Sequence, residues 1–108
     1  MPVNHQIILC TCPDQCSAET IAHMLIERHL AACVNILPGL TSIYRWQNTV
    51  ETAQEHLLLI KSNRQGFPAI ETLIKENHPY QIPEIIALPI ENGSREYLQW
   101  IDSCHSPD

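Results

Sequence analysis

Apolar and polar positions along the chain switch between a two-residue and a helical period, and the switches mark out the elements. Ile7-Ile8-Leu9-Cys10-Thr11-Cys12 is a short, nearly continuous apolar run rich in β-formers, closed by Pro13-Asp14. That pattern predicts a strand buried on both faces. From Asp14, a good N-cap, Ala18, Ile21, Ala22, Leu25 and Ile26 recur at helical spacing, while Glu19, His23, Glu27 and Arg28 fall largely elsewhere, so an amphipathic helix is expected to end near His29. Cys33 to Leu37 is extended and apolar, Pro38-Gly39 interrupts it, and Thr41 to Trp46 resumes with β-branched and aromatic residues, as in one long strand with a bulge. Gln47-Asn48-Thr49 is a turn cluster, and Val50 to Lys61 returns as a second long strand whose Leu57-Leu58-Leu59-Ile60 half is buried. Ser62-Asn63 caps a helix over Phe67, Ile70, Leu73 and Ile74, with Pro68 tolerated in the first turn and Pro79 forbidding continuation past His78. Ile85 to Leu88 is a buried strand, and Gly93-Ser94 caps a short helix carrying Tyr97, Leu98, Trp100 and Ile101.

The order β-α-β-β-α-β plus a terminal helix predicts an α+β domain of the ferredoxin-like, split βαβ type, with two helices on one face of an antiparallel sheet. Residues 1–108 form one domain, since no repeat, low-complexity stretch or linker interrupts them, and residues 102–108 read as a frayed tail. The middle hairpin is long for so small a domain: about 14 residues per strand at ~3.3 Å each reach ~45 Å. Its tip must project or find a partner, and Tyr44 and Trp46 share one face of it. Exposed aromatic strand edges aggregate unless another chain covers them, so a homo-oligomer built partly by hairpin pairing is expected. Three-fold closure suits a head-to-tail strand exchange, although the physics alone does not choose three over two.

Composition then narrows the function. Twelve acidic against six basic residues in 108 give a net charge of −6, the wrong sign for a protein whose affinity comes from neutralising phosphates. Met-Pro-Val-Asn-His-Gln has no basic n-region, and the apolar run from Ile7 to Cys10 is too short for a signal peptide or a membrane span, so a cytoplasmic location is expected. Five cysteines, at positions 10, 12, 16, 33 and 104, are an odd count that argues for reduced thiols over a disulfide framework.

Cys10 and Cys12 lie two apart on one strand and so point to one face, with Cys16 following in the first helical turn. Thiolates with imidazole suit Cu(I) or Zn. The alternative is a buried Cys10 acting as a small hydrophobe with Cys12 merely near it. His78 sits at the forced helix break, where imidazole caps carbonyls as readily as it binds a metal. Lys61, Tyr80 and Glu84 are candidates for a small-ligand cleft, against a snorkelling strand-end lysine and a solvated loop carboxylate. His5, His23, His29, His56 and His105 form no i,i+4 ligand pair with one another and read as surface or packing residues.

Ile-Leu-Cys-Thr-Cys-Pro-Asp near the start, Leu-Ala-Ala-Cys-Val-Asn-Ile-Leu-Pro-Gly followed by Ser-Ile-Tyr-Arg-Trp, His-Pro-Tyr-Gln-Ile-Pro-Glu after the second helix, and Tyr-Leu-Gln-Trp-Ile closely resemble the CutA family of divalent-cation tolerance proteins. The match runs from about Ile7 to Ile101. The resemblance implies a ferredoxin-like subunit in a tight homotrimer, a role in tolerance to copper and other divalent cations, and no accepted catalysis. It associates copper with a cysteine matching Cys10 and with two histidines ahead of Pro-Tyr-Gln, of which the second matches His78. The first falls on Asn77, and amides are poor copper ligands. Glu55, at a position similar to one lining the family's cleft, is the candidate substitute, with a cross-strand or intersubunit ion pair as its other use. Three further readings stand beside this one. A PII-like trimeric signalling module would bind a metabolite between subunits, by analogy of fold and without any Gly-rich phosphate cradle. A thiol enzyme would use Cys10 with His78 as base, residue types that most chains of this length contain. A structural trimer would offer a platform to an unidentified protein partner.

Overall fold

The computed structural model describes residues 4–105. The chain runs β1 (His5–Cys12), α1 (Gln15–Glu27), β2 (Cys33–Trp46), β3 (Thr49–Asn63), a 3-10 turn (Arg64–Gly66), α2 (Phe67–Asn77), β4 (Ile86–Pro89) and α3 (Arg95–Ser103). The strands form one antiparallel sheet in the order β2-β3-β1-β4. The expected element order is therefore present, with three helices and four strands.

Local chemistry explains the boundaries. Asp14 caps α1 by accepting from the Ser17 backbone N–H at 2.8 Å, and α1 ends where His29 turns left-handed at φ 58°. Pro38-Gly39 makes the anticipated irregularity: the β2-β3 register shifts between Leu37 and Leu40, and Gly39 takes φ 78°. Gln47 and Asn48 both have positive φ, the conformation that lets a two-residue turn match the twist of a hairpin. Asn63 caps the 3-10 turn through Gly66 N–H at 2.9 Å, and Pro68 falls in the first turn of α2, where its missing N–H costs nothing.

The Ser17 hydrogen bonds hold the Asp14 carboxyl below the usual carboxylate range. A depressed folded-state value means that this capping contribution is complete above the unfolded value of ~3.9 and is lost as pH falls through the lowered one. Asp14→Asn, which keeps a capping side chain but cannot titrate, is expected to flatten the acid limb of the stability curve. Urea midpoints measured at neutral pH and at about pH 3 check this.

The core lies on one face of the sheet. Ile8, Cys10 and Cys12 of β1 and Leu58 and Ile60 of β3 pack against Ala18, Ile21 and Leu25 of α1 and Ile70, Leu73 and Ile74 of α2. Cross-strand pairing fixes this set: Ile8 faces Ile60, Cys10 faces Leu58, and a one-residue slip would turn every one of them outward. The opposite face corrects two expectations. Ile7 and Leu9 are only half-buried, so β1 is not covered on both sides, and Ile86 and Leu88 of the supposedly buried β4 are 50% and 48% exposed. A continuous apolar run does not say whether its second face is covered by the same chain.

The hairpin extends the molecule to 45 Å along its longest axis. Ile43, Tyr44, Trp46 and Val50 on it are exposed, Ile43 by 71%. Of the tail expected from residue 102, Asp102 and Ser103 lie in α3. His5 Nε2 donates to Asp102 Oδ1 at 2.9 Å, His29 Nδ1 to the Cys104 carbonyl at 3.3 Å, and His105 Nδ1 to the His29 carbonyl at 3.2 Å. Residues 106–108 of that expectation lie outside the described residues.

Candidate metal centre

The ends of β1 and α2 meet at one place. β1 stops at Cys12 because Pro13 follows, and α2 stops at Asn77 because Pro79 forces His78 out of the helix to φ −89°, ψ 139°. The side chain of His78 reaches across this junction, donating from Nε2 to the Thr11 carbonyl at 2.7 Å. Its Nδ1 accepts the Tyr80 backbone N–H at 3.1 Å. The ligand atoms of Cys10, Cys12 and His78, all buried, lie within 4.8 Å of one another.

The group suits a soft or borderline ion. Both thiols and the imidazole are donor types that select Cu(I) or Zn. A metal-binding histidine usually donates its other ring N–H to a carbonyl or carboxylate, which fixes the tautomer. His78 is oriented by Thr11 at Nε2 and by Tyr80 at Nδ1, so one of these two contacts must give way for the ring to take an ion.

The electrostatics of the two thiols diverge. Cys10 is pushed up by donating to Cys12, then by its own burial and by the nearby charges of Cys12, Glu84 and Glu55. Cys12 is held down to about 6, first by the hydrogen bond from Cys10 and then, against the cost of burial, by His78. Burial opposes charging of His78, but the Cys12 thiol and the Thr11 carbonyl outweigh it and raise its pKa. Cys12 is therefore the readier thiolate of the two.

Of the residues singled out from the sequence, Cys10 and His78 come together. Cys12, which the sequence places on the same face as Cys10 but which was not assigned as a ligand, completes the cluster; the Cys-x-Cys alternation was its signal. Cys16 is exposed on α1 and lies outside it. Glu55 is 5% exposed and stands one step away, accepting a 2.7 Å hydrogen bond from the Tyr80 hydroxyl. The Tyr80 and His78 rings are 4.9 Å apart, so Glu55, Tyr80 and His78 form a chain of contacts leading to the thiols. Burial, then the Glu55 carboxylate, push the Tyr80 pKa up and keep it a donor. Asn77 donates back to the Leu73 carbonyl at 2.8 Å and serves the helix end. Glu84 is exposed and acts on Cys10 through its charge. Lys61 pairs with Ile7 and Cys33 at the far end of the sheet, about 20 Å along β3 from Glu55 at ~3.3 Å per residue, so it does not meet Tyr80 within the chain. Tyr80 also lines a cavity of about 280 Å³ with Tyr44, Trp46 and Ile82. His56 faces Cys12 across the β1-β3 ladder, and its Nδ1 is buried with no hydrogen-bond partner.

Tyr80→Phe removes the donor to a buried carboxylate. It is expected to cost about 1–3 kcal/mol, read from urea unfolding, with the α-helical circular dichroism unchanged.

The α+β fold thus brings two buried thiols and an imidazole to one place, a donor set of the kind that suits a metal ion. The chain belongs to the family described as CutA1 divalent ion tolerance protein, whose sequence model matches residues 6–104. It is 54% identical over 96 residues to the divalent-cation tolerance protein CutA of Thermus thermophilus, covering 89% of this chain and 93% of that one. Among solved structures it is similar to CutA from Xylella fastidiosa, with TM-score 0.92, 46% identity and coverage of 94% and 98% of the two chains. It is also similar to the periplasmic divalent cation tolerance protein CutA from Archaeoglobus fulgidus, with TM-score 0.92, 39% identity and coverage of 94% and 99%. The family is named for cation tolerance and not for a catalysed reaction. No helix among the described residues is long and apolar enough to cross a membrane.

Proposed function

We propose that this protein supports divalent-cation tolerance by binding copper at Cys10, Cys12 and His78, as a homotrimer of ferredoxin-like subunits in the cytoplasm. The observation that carries the reading is the convergence of two thiols and one imidazole within 4.8 Å in a buried site. Thiolate donors supply the preference for a soft ion, and His78, oriented by the Thr11 carbonyl and the Tyr80 backbone N–H, supplies the imidazole. Glu55 acts through Tyr80 as an outer partner of the site rather than as a ligand. The free cysteines suit a reducing compartment.

The trimer is supported by the apolar surface that one chain leaves open: the exposed hairpin and the half-covered sheet face of Ile7, Leu9, Ile86 and Leu88. Light scattering should return three times the 12.3 kDa chain mass. The metabolite-cleft reading gains no support from this geometry, since Lys61 and Tyr80 lie far apart in the chain.

Calorimetric titration of Cu(I) into freshly reduced, anaerobic protein tests the metal assignment. Saturable binding of one ion per chain is the expected result. Weak binding without a defined stoichiometry would overturn it.

A further inference from the structure

We infer that His56 is a fourth ligand of this centre, making it a closed two-sulfur, two-nitrogen site for a tetrahedral ion such as Zn(II) or Cu(I); the inference rests on the metal-site reading above. The register of the sheet carries it. Cys12 and His56 are direct partners across the β1-β3 ladder, so their side chains leave the same face of the sheet, with Cβ atoms about 4.5–5.5 Å apart. That face is the one on which Cys10 and Cys12 join His78.

The second observation concerns the imidazole itself. Its Nδ1 is buried and has no hydrogen-bond partner. Buried polar atoms are nearly always paired, and an imidazole nitrogen left unpaired has a lone pair to offer an ion. Asp14, at the start of α1, is close enough to respond to the charge of His56, which places the ring at the same end of β1 as the cysteines. Cys10, Cys12 and His78 supply three donors, and structural sites for Zn(II) are almost always four-coordinate. A rotation of the His56 side chain is the adjustment required, since its ring nitrogens are not part of the group already lying within 4.8 Å.

The strand register also explains why the sequence conceals this ligand. His56 has no histidine or cysteine four residues away on a helix; its partner is distant in sequence and is brought opposite by the sheet.

Co(II), whose visible spectrum reports coordination number and thiolate ligation, is the probe. Wild-type protein loaded with Co(II) alone should show intense d–d bands of a four-coordinate ion together with a thiolate charge-transfer band. His56→Ala should keep the charge-transfer band, lose d–d intensity as water enters, and bind more weakly by at least the roughly 10–100-fold that losing an outer-shell partner costs. A His56→Ala spectrum and affinity equal to wild type would overturn the fourth ligand and leave the three-residue site standing. Absence of the charge-transfer band from wild-type protein would instead remove the underlying site. Should His56→Ala not fold, ¹⁵N NMR of the Zn(II)-loaded wild type reports the same point: a coordinated Nδ1 shift on His56 supports the assignment, and a free-imidazole pattern overturns it.

Discussion

Cys12→Ser is expected to weaken Cu(I) binding by at least about 100-fold, more than the 10–100-fold typical of losing an outer-sphere partner. Serine is close in size to cysteine, so the shape of the core is kept while the soft donor is lost. Cys12 is fully buried, and the added hydroxyl carries a modest penalty of about 1–2 kcal/mol, which leaves most of the stability in place. Cys10→Ser should be similarly damaging. Competition against a Cu(I) chelator under anaerobic conditions reads both effects. A Cys10→Ala variant that binds as tightly as wild type would mean that Cys10 is only a small hydrophobe of the core.

Leu58→Ala is expected to cost about 3 kcal/mol within the 2–5 kcal/mol range of such truncations. Leu58 is fully buried, lies opposite Cys10 in the β1-β3 register and packs under both helices. Its removal leaves a cavity beside the thiols, because α1 and α2 are fixed by their own core residues and collapse only partly. Ile43→Ala gives the contrast. Ile43 is largely exposed on the hairpin, so the fold of one chain should change by no more than about 0.5 kcal/mol, while a trimer held by that hairpin should dissociate at higher concentration than wild type. Chemical unfolding and sedimentation measured on both variants separate the two roles. Equal losses of stability would show that the hairpin and the core do not divide the work in this way.

Much of the fold is legible from local chemistry. Asp14, Pro38-Gly39, Gln47-Asn48 and Ser94 each act within a few residues of themselves, and each marks an element boundary that the structure contains. Features set by distant pairing are not legible in this way. The contact from His5 to Asp102 spans 97 residues. The exposed outer face of β4 follows from sheet order and the absence of a covering helix, neither of which an apolar run reveals.

The candidate centre divides along the same line. That Cys10 and Cys12 share a face follows from strand periodicity, and that a helix must end at His78 follows from Pro79. That these two ends lie against each other is a tertiary fact, recorded in the His78 to Thr11 hydrogen bond across 67 residues. The buried carboxylate of Glu55 accepts from Tyr80, a partner 25 residues away that no local pattern indicates. Lys61 pairs with Ile7 near the start of β1, a separation from Tyr80 within the chain that depends on how far a strand travels.

The most direct test of the metal assignment is X-ray absorption at the copper edge on Cu(I)-loaded protein, compared with the Cys10→Ser, Cys12→Ser double variant. The expected result is a wild-type spectrum with sulfur scatterers and at least one imidazole, and loss of the sulfur shell in the double variant. A wild-type spectrum containing only nitrogen and oxygen neighbours would contradict a centre built on Cys10, Cys12 and His78.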